Sequence, residues 1–132
     1  MIVCNTAAKI GQEQAWNDRA ALVREQGLQP IVSTAASRWF TTGFIQLDAA
    51  LVEKLQNDFA AGSAEGYASC CEALSQADLR EQLKDIKVPV LVVAGQQDPV
   101  TTVADAEFMI ERIPNSKMSE INASHISNIE LP

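Results

Sequence analysis

Apolar residues follow two different rhythms along this 132-residue chain. From about residue 12 to residue 86 they return every three or four positions, the period of helices that bury one face. From residue 88 to 94 they run almost without interruption and are mostly β-branched, which suits a parallel strand covered on both faces. The helical part predicts a helix over residues 12–26, with Ala15, Arg19, Leu22 and Val23 on neighbouring turns and Gly27 as its stop. Pro30 marks a turn, Ser33 caps a short helical piece carrying Arg38, Trp39 and Phe40, and Gly43 interrupts. Asp48 is the N-cap of a helix over 49–61, where Leu51, Leu55 and Phe59 recur every four residues and Gly62 closes. Ser63 begins another helix, to Gln76, with Tyr67, Cys70, Cys71 and Leu74 on its apolar side. Asp78 caps a last short one with Leu79, Leu83 and Ile86 inward.

Strands lie at the two ends. Ile2 to Cys4 reads as a short buried strand leading into a loop through Asn5 and Thr6. After the run at 88–94, Thr102 and Asp105 make a capping-box start for a helix to Arg112, and Pro114 and Asn115 turn the chain into a strand over 117–121. A strand, a helix and a strand in that order imply a parallel pair with a crossover, hence an α/β fold. Three strands form a small sheet with two open edges, which invites self-association.

Composition narrows the partners. A formal charge of -7 with no basic run makes the chain a poor candidate for binding nucleic acid or anionic membrane. A hydrophobic share of 47% is that of a globular domain, and no apolar run approaches the roughly 20 residues of a membrane helix. Cys4, Cys70 and Cys71 form no CxxC pair, and with a single histidine they leave a zinc site short of ligands; reduced thiols in a cytoplasm are expected.

The candidate chemistry sits at the end of the chain. The run PVLVVAG ends at Gly95, and Asp98 stands in the turn behind it. The only histidine, His125, follows the next strand. Acid first and base second, each just past the C-terminal end of a strand, is the order in which an α/β-hydrolase presents the later members of a Ser-His-Asp triad. Imidazole takes a proton near neutral pH only if a carboxylate fixes its tautomer, and this pair has the residue types for it. Taken singly, each residue also fits a plainer role, Asp98 as a turn stabiliser and His125 as a surface or core residue. No serine has glycines two positions to either side, as a nucleophile elbow requires. Ser63 has Ala61 and Glu65 there, while Ser124 and Ser127 follow the acid and read as loop hydrogen-bonders.

Five segments in order, CNTAAKIG from Cys4, RWFT from Arg38, GYASCCEAL from Gly66, PVLVVAGQQDPVT from Pro89 and SHISNIE from Ser124, resemble 3-oxoadipate enol-lactonases. The resemblance runs through essentially the whole chain. It implies a partial α/β-hydrolase fold, a helical cap plus the last parallel strands of the sheet. Residues 1–11 would be a sheet strand and the lead into the cap, 12–86 the helical cap, and 87–132 the C-terminal part of the hydrolase core. It implies Asp98 as triad acid and His125 as triad base, no metal or other cofactor, and a small lactone as substrate of the complete enzyme. The family's G-x-S-x-G elbow and oxyanion loop precede the strand matching Ile2 to Cys4, so the chain by itself is expected to be inactive. The substrate carries a carboxylate, for which Arg38 beside Trp39 is the first choice of cap contact and Trp16 the second. Capped esterases and cofactor-free perhydrolases share the Asp/His pattern, and a non-catalytic self-associating module is the remaining alternative.

Overall fold

The computed structural model describes all 132 residues. Two compact units partition them: Met1–Ile10, Arg38–Thr41 and Asp78–Pro132 form one, Gly11–Ser37 and Thr42–Ala77 the other.

The first unit is built on a three-stranded, all-parallel sheet in the order β1-β2-β3, from β1 (Ile2–Cys4), β2 (Val90–Gly95) and β3 (Ser116–Ile121). The apolar run is the central strand. Ile2 pairs with Leu91 on one side, and Val90 pairs with Ser116 on the other. Val90, Val92 and Ala94 point to one face and are buried against Ala106, Met109 and Ile113, contributed by α7 (Val103–Ile110) and the turn after it, together with Ala8 and Leu83. Leu91 and Val93, on the other face, are only half buried, so the coverage expected on both faces is complete on one. At the edge, β1 has a single neighbour. Ile2 is 67% exposed and Cys4 is exposed, against the buried strand the sequence suggested. The helix start is as predicted: Thr102 and Asp105 form a reciprocal capping box. That box contributes about 1 kcal/mol, whereas burying each of Val92, Met109 and Ile113 contributes roughly 1.5–3 kcal/mol. Packing holds α7, and the cap sets where it begins.

The second unit is helical. It holds α1 (Glu13–Gln26), α2 (Gln29–Val32), most of α3 (Ala35–Trp39), α4 (Thr42–Leu47), α5 (Ala49–Ala60) and α6 (Ala64–Gln76). Gly27 ends α1 with φ 72° and returns its N–H to the Val23 carbonyl, a left-handed position that favours glycine. Asp48 and Ser63 cap α5 and α6 through their side chains, as the sequence predicts. Ala20 of α1 meets Ala68 and Cys71 of α6, and Arg24 ties the same two helices on the surface by pairing with Glu65 and Glu72.

Several local expectations change. Pro30 lies inside α2 instead of marking a turn, and Ser33 is the C-cap of that helix, its hydroxyl donating to the Pro30 carbonyl. Gly43 lies inside α4 instead of interrupting, because a helical glycine in open space costs only about 1 kcal/mol against alanine. Cys70 is exposed; the buried line of α6 is Ala68, Cys71 and Ser75. Asp78 caps no helix. Its carboxylate is taken by Arg80 and Lys9, the Leu79 N–H goes to the Ala8 carbonyl, and only a 3-10 turn forms at Leu83–Asp85. Leu79 is 55% exposed as a result.

Candidate active site

Parallel strands deliver their loops to one edge, and all three C-terminal strand ends of this sheet contribute to one cluster. Beyond β2, the Gln96 and Gln97 amides continue the ladder to the Ile121 and Ala123 carbonyls, and the Asp98 amide closes the turn on the Gly95 carbonyl. This fixes the acid turn against the segment that follows β3. His125 Nδ1 lies 2.8 Å from Asp98 Oδ2. The Asp98 side chain is fully buried, while about a quarter of the imidazole is exposed.

The carboxylate is saturated with donors. Oδ1 accepts the amides of Val100 at 2.7 Å and Thr101 at 3.1 Å. Oδ2 accepts the Thr101 hydroxyl at 2.8 Å and the Asn5 amide at 3.0 Å in addition to the imidazole. Burial pushes the Asp98 carboxyl up, but the hydrogen bonds from His125, Asn5 and the Thr101 and Val100 amides outweigh it. The net effect holds the group below its ordinary value. An ionised Asp98 accepts the proton on Nδ1 and leaves the Nε2 lone pair of a neutral ring free for a reacting hydroxyl.

The histidine loop is held from its other side by Glu130. Its carboxylate accepts the Ser124 amide at 3.0 Å and both the amide and the hydroxyl of Thr41. The Ile126 amide donates to the Trp39 carbonyl at 2.9 Å, so the segment carrying Arg38 and Trp39 is tied directly beside His125. Trp39 is half buried, edge-on to the buried Phe40 at 6.4 Å between centroids. Trp16 belongs to the helical unit, where the Arg19 guanidinium lies 4.9 Å over its ring. Ser124 is a loop hydrogen-bonder, donating to the Gln97 carbonyl, whereas Ser127, expected to be another, opens the short last helix and donates to Asn5 Oδ1.

Asn5, Thr101 and Glu130 did not stand out in the sequence as site residues. For Thr101 a signal existed, since D-x-x-T lets a turn aspartate collect the following amides and hydroxyl. For Asn5 there is none, because its nearest side-chain partner lies 93 residues away, and for Glu130 the link from the Ser124 amide to Thr41 spans 89 residues. No three His, Cys, Asp or Glu side chains are grouped so as to hold a metal ion, and no helix is long and apolar enough to cross a membrane.

An all-parallel sheet whose C-terminal edge gathers a turn acid and the imidazole after the next strand has the fold of the α/β-hydrolases, here with three strands. Within that class, the resemblance to 3-oxoadipate enol-lactonases is borne out: the chain is 64% identical over all 132 residues to 3-oxoadipate enol-lactonase 2 of Acinetobacter baylyi, covering 49% of that protein. It is 45% identical over 130 residues to enol-lactonase 1 of the same organism, covering 98% of this chain and 49% of that one. Among solved structures, the enol-lactonase of Burkholderia xenovorans LB400 superposes with a TM-score of 0.93 at 38% identity, over 98% of this chain and 50% of that one. The chain thus spans about half the length of the curated relatives it matches. No family model matches it.

Proposed function

We propose that this chain supplies the acid and the base of a serine-dependent enol-lactone hydrolase that opens 3-oxoadipate enol-lactone to 3-oxoadipate. The observation that carries the reading is the 2.8 Å contact between His125 Nδ1 and a buried, donor-saturated Asp98 at the C-terminal edge of the sheet. His125 Nε2 takes the proton of the attacking serine, hands it to the leaving enolate oxygen, and repeats the cycle with water at the acyl-enzyme. Asp98 holds the tautomer and stabilises the imidazolium. Arg38, next to Trp39 beside the histidine loop, is our choice for the substrate carboxylate, since a guanidinium binds a carboxylate in two-point fashion. Trp16 is a further candidate contact. The three free cysteines fit a reducing cytoplasm.

No serine in this sequence sits in an elbow motif, so the test is complementation. The chain is joined to the half of Acinetobacter baylyi enol-lactonase 2 that it does not match, and enol-lactone hydrolysis is followed. The chimera is expected to turn over the lactone, the chain alone to show none, and His125→Ala in the chimera to lose at least about 1,000-fold. A folded chimera that hydrolyses simple esters far faster than the lactone would overturn the substrate assignment.

We further propose that the chain alone self-associates. β1 pairs with β2 on one side only, and its Met1 and Ile2 are more than half exposed. Sedimentation velocity is expected to give concentration-dependent dimers or larger species. A monomer at all concentrations, unfolding cooperatively, would count against it.

A further inference from the structure

Asn5 is the residue that joins the acid turn, the histidine loop and the last helix. It follows β1 with φ 46°, a left-handed backbone that asparagine tolerates better than most residues. Its own amide still pairs with the Val93 carbonyl at 2.9 Å, so the backbone remains registered to the central strand while the side chain reaches across the sheet edge. Both Nδ2 hydrogens are used: one goes to Asp98 Oδ2 at 3.0 Å, the other to the Ser124 carbonyl at 3.1 Å. Oδ1 accepts the Ser127 hydroxyl at 2.6 Å, from α8 (Ser127–Glu130). This pattern fixes which end of the amide faces the carboxylate, since a reversed amide would set oxygen against two acceptors.

We propose that Asn5 is a positioning residue of the acid-base pair, its amide clamping Asp98 Oδ2 to His125 Nδ1 while tying the histidine loop to the acid turn. The proposal rests on reading Asp98 and His125 as that pair. The hydrogen bonds of the Asn5 side chain go to Asp98, Ser124 and Ser127, so it acts through the carboxylate and through the residue before His125.

Two variants of the chain test it, with the Asp98 carboxyl and the His125 Nδ1 proton followed by NMR, neither readout requiring catalysis. Asn5→Gly keeps the left-handed backbone and removes the amide. It is expected to make Asp98 about a ten-fold weaker acid, because one donor to its charged form is gone. Exchange of the Nδ1 proton with solvent should also quicken by about ten-fold. Asn5→Asp keeps the shape and places a second carboxylate where the donor stood, so one apparent pKa of the resulting pair is expected to rise above the ordinary aspartate range. Asn5→Asp also decides the matter if Asn5→Gly does not fold. Folded variants that leave both readouts at their wild-type values would make Asn5 a turn residue only, with the Asp98–His125 pair still standing. A wild-type chain without a protected Nδ1 proton would remove the pair itself, and the proposal with it.

Discussion

Asp98→Asn is expected to lower lactone turnover in the complementing chimera by about 10,000-fold, through the imidazole tautomer. On the proposed reading, Oδ2 accepts a proton from His125 Nδ1, 2.8 Å away, and Nε2 is the base. The two backbone amides of Val100 and Thr101 hold Oδ1, so an introduced side-chain amide keeps its oxygen there and turns NH2 toward the histidine. The NH2 then donates to Nδ1, the proton moves to Nε2, and the ring can no longer accept a proton from serine. The same NH2 meets the Asn5 donor 3.0 Å away, which adds a stability loss of about 1–3 kcal/mol.

Two measurements on the chain alone separate these effects. ¹⁵N-histidine spectra should show Nδ1 changing from protonated to unprotonated in the neutral ring. The pH dependence of unfolding should change as well. The folded Asp98 carboxyl lies below its ordinary value of 3.8, so the unfolded state binds its proton first as pH falls. Its stabilising contribution is therefore complete above that value and fades as pH drops through the lower folded one. The variant should lack this fading, and its stability should fall less steeply below about pH 4. An Asp98→Asn chain whose histidine keeps its proton on Nδ1 would sink the assigned role.

The readable parts of the fold were those set by local pattern. The apolar stretch at 88–94 is short, mostly β-branched and closed by Gly95, which marks it as a strand, and β2 is the central one. Thr102 with Asp105, Asp48 and Ser63 are caps whose partners lie three residues away, within the reach of sequence reasoning. Asp98 and His125 were legible because each follows a strand, and parallel strands send their ends to the same edge. A side chain whose partner is distant carries no such local signal. Asp78 looks like an N-cap, yet its carboxylate is claimed by Lys9, 69 residues away, and by Arg80. Ile2 looks buried because it is apolar, but its burial depends on a neighbouring strand, and β1 stands at the edge. Asn5 looked like an ordinary loop residue, since its hydrogen bonds span 93, 119 and 122 residues.

Gly95 belongs to the same group of long-range constraints and yields the second large effect. In the sequence it merely ends the strand. In the fold, a Cβ at this position would stand 2.7 Å from the Ala123 carbonyl oxygen, 2.8 Å from the Ser124 carbonyl oxygen and 2.8 Å from Asn5 Nδ2. Two of these three atoms are backbone, immediately before His125, and no rotamer change can withdraw them. The strand itself cannot retreat, because Val93 and Gly95 are registered to Ser119 and Ile121 and the Asn5 amide bonds the Val93 carbonyl. The strain must therefore move the histidine loop. Gly95→Ala is expected to cost about 2–3 kcal/mol in denaturant unfolding, the upper part of the range for overpacking. It should also lengthen the His125–Asp98 contact enough to lose protection of the Nδ1 proton. In the chimera, a displacement near 1 Å at the base corresponds to about a 100-fold fall in turnover. The two effects share one cause, so a Gly95→Ala chain with wild-type stability and a protected Nδ1 proton would contradict the close packing of the two strand ends on which the whole site depends.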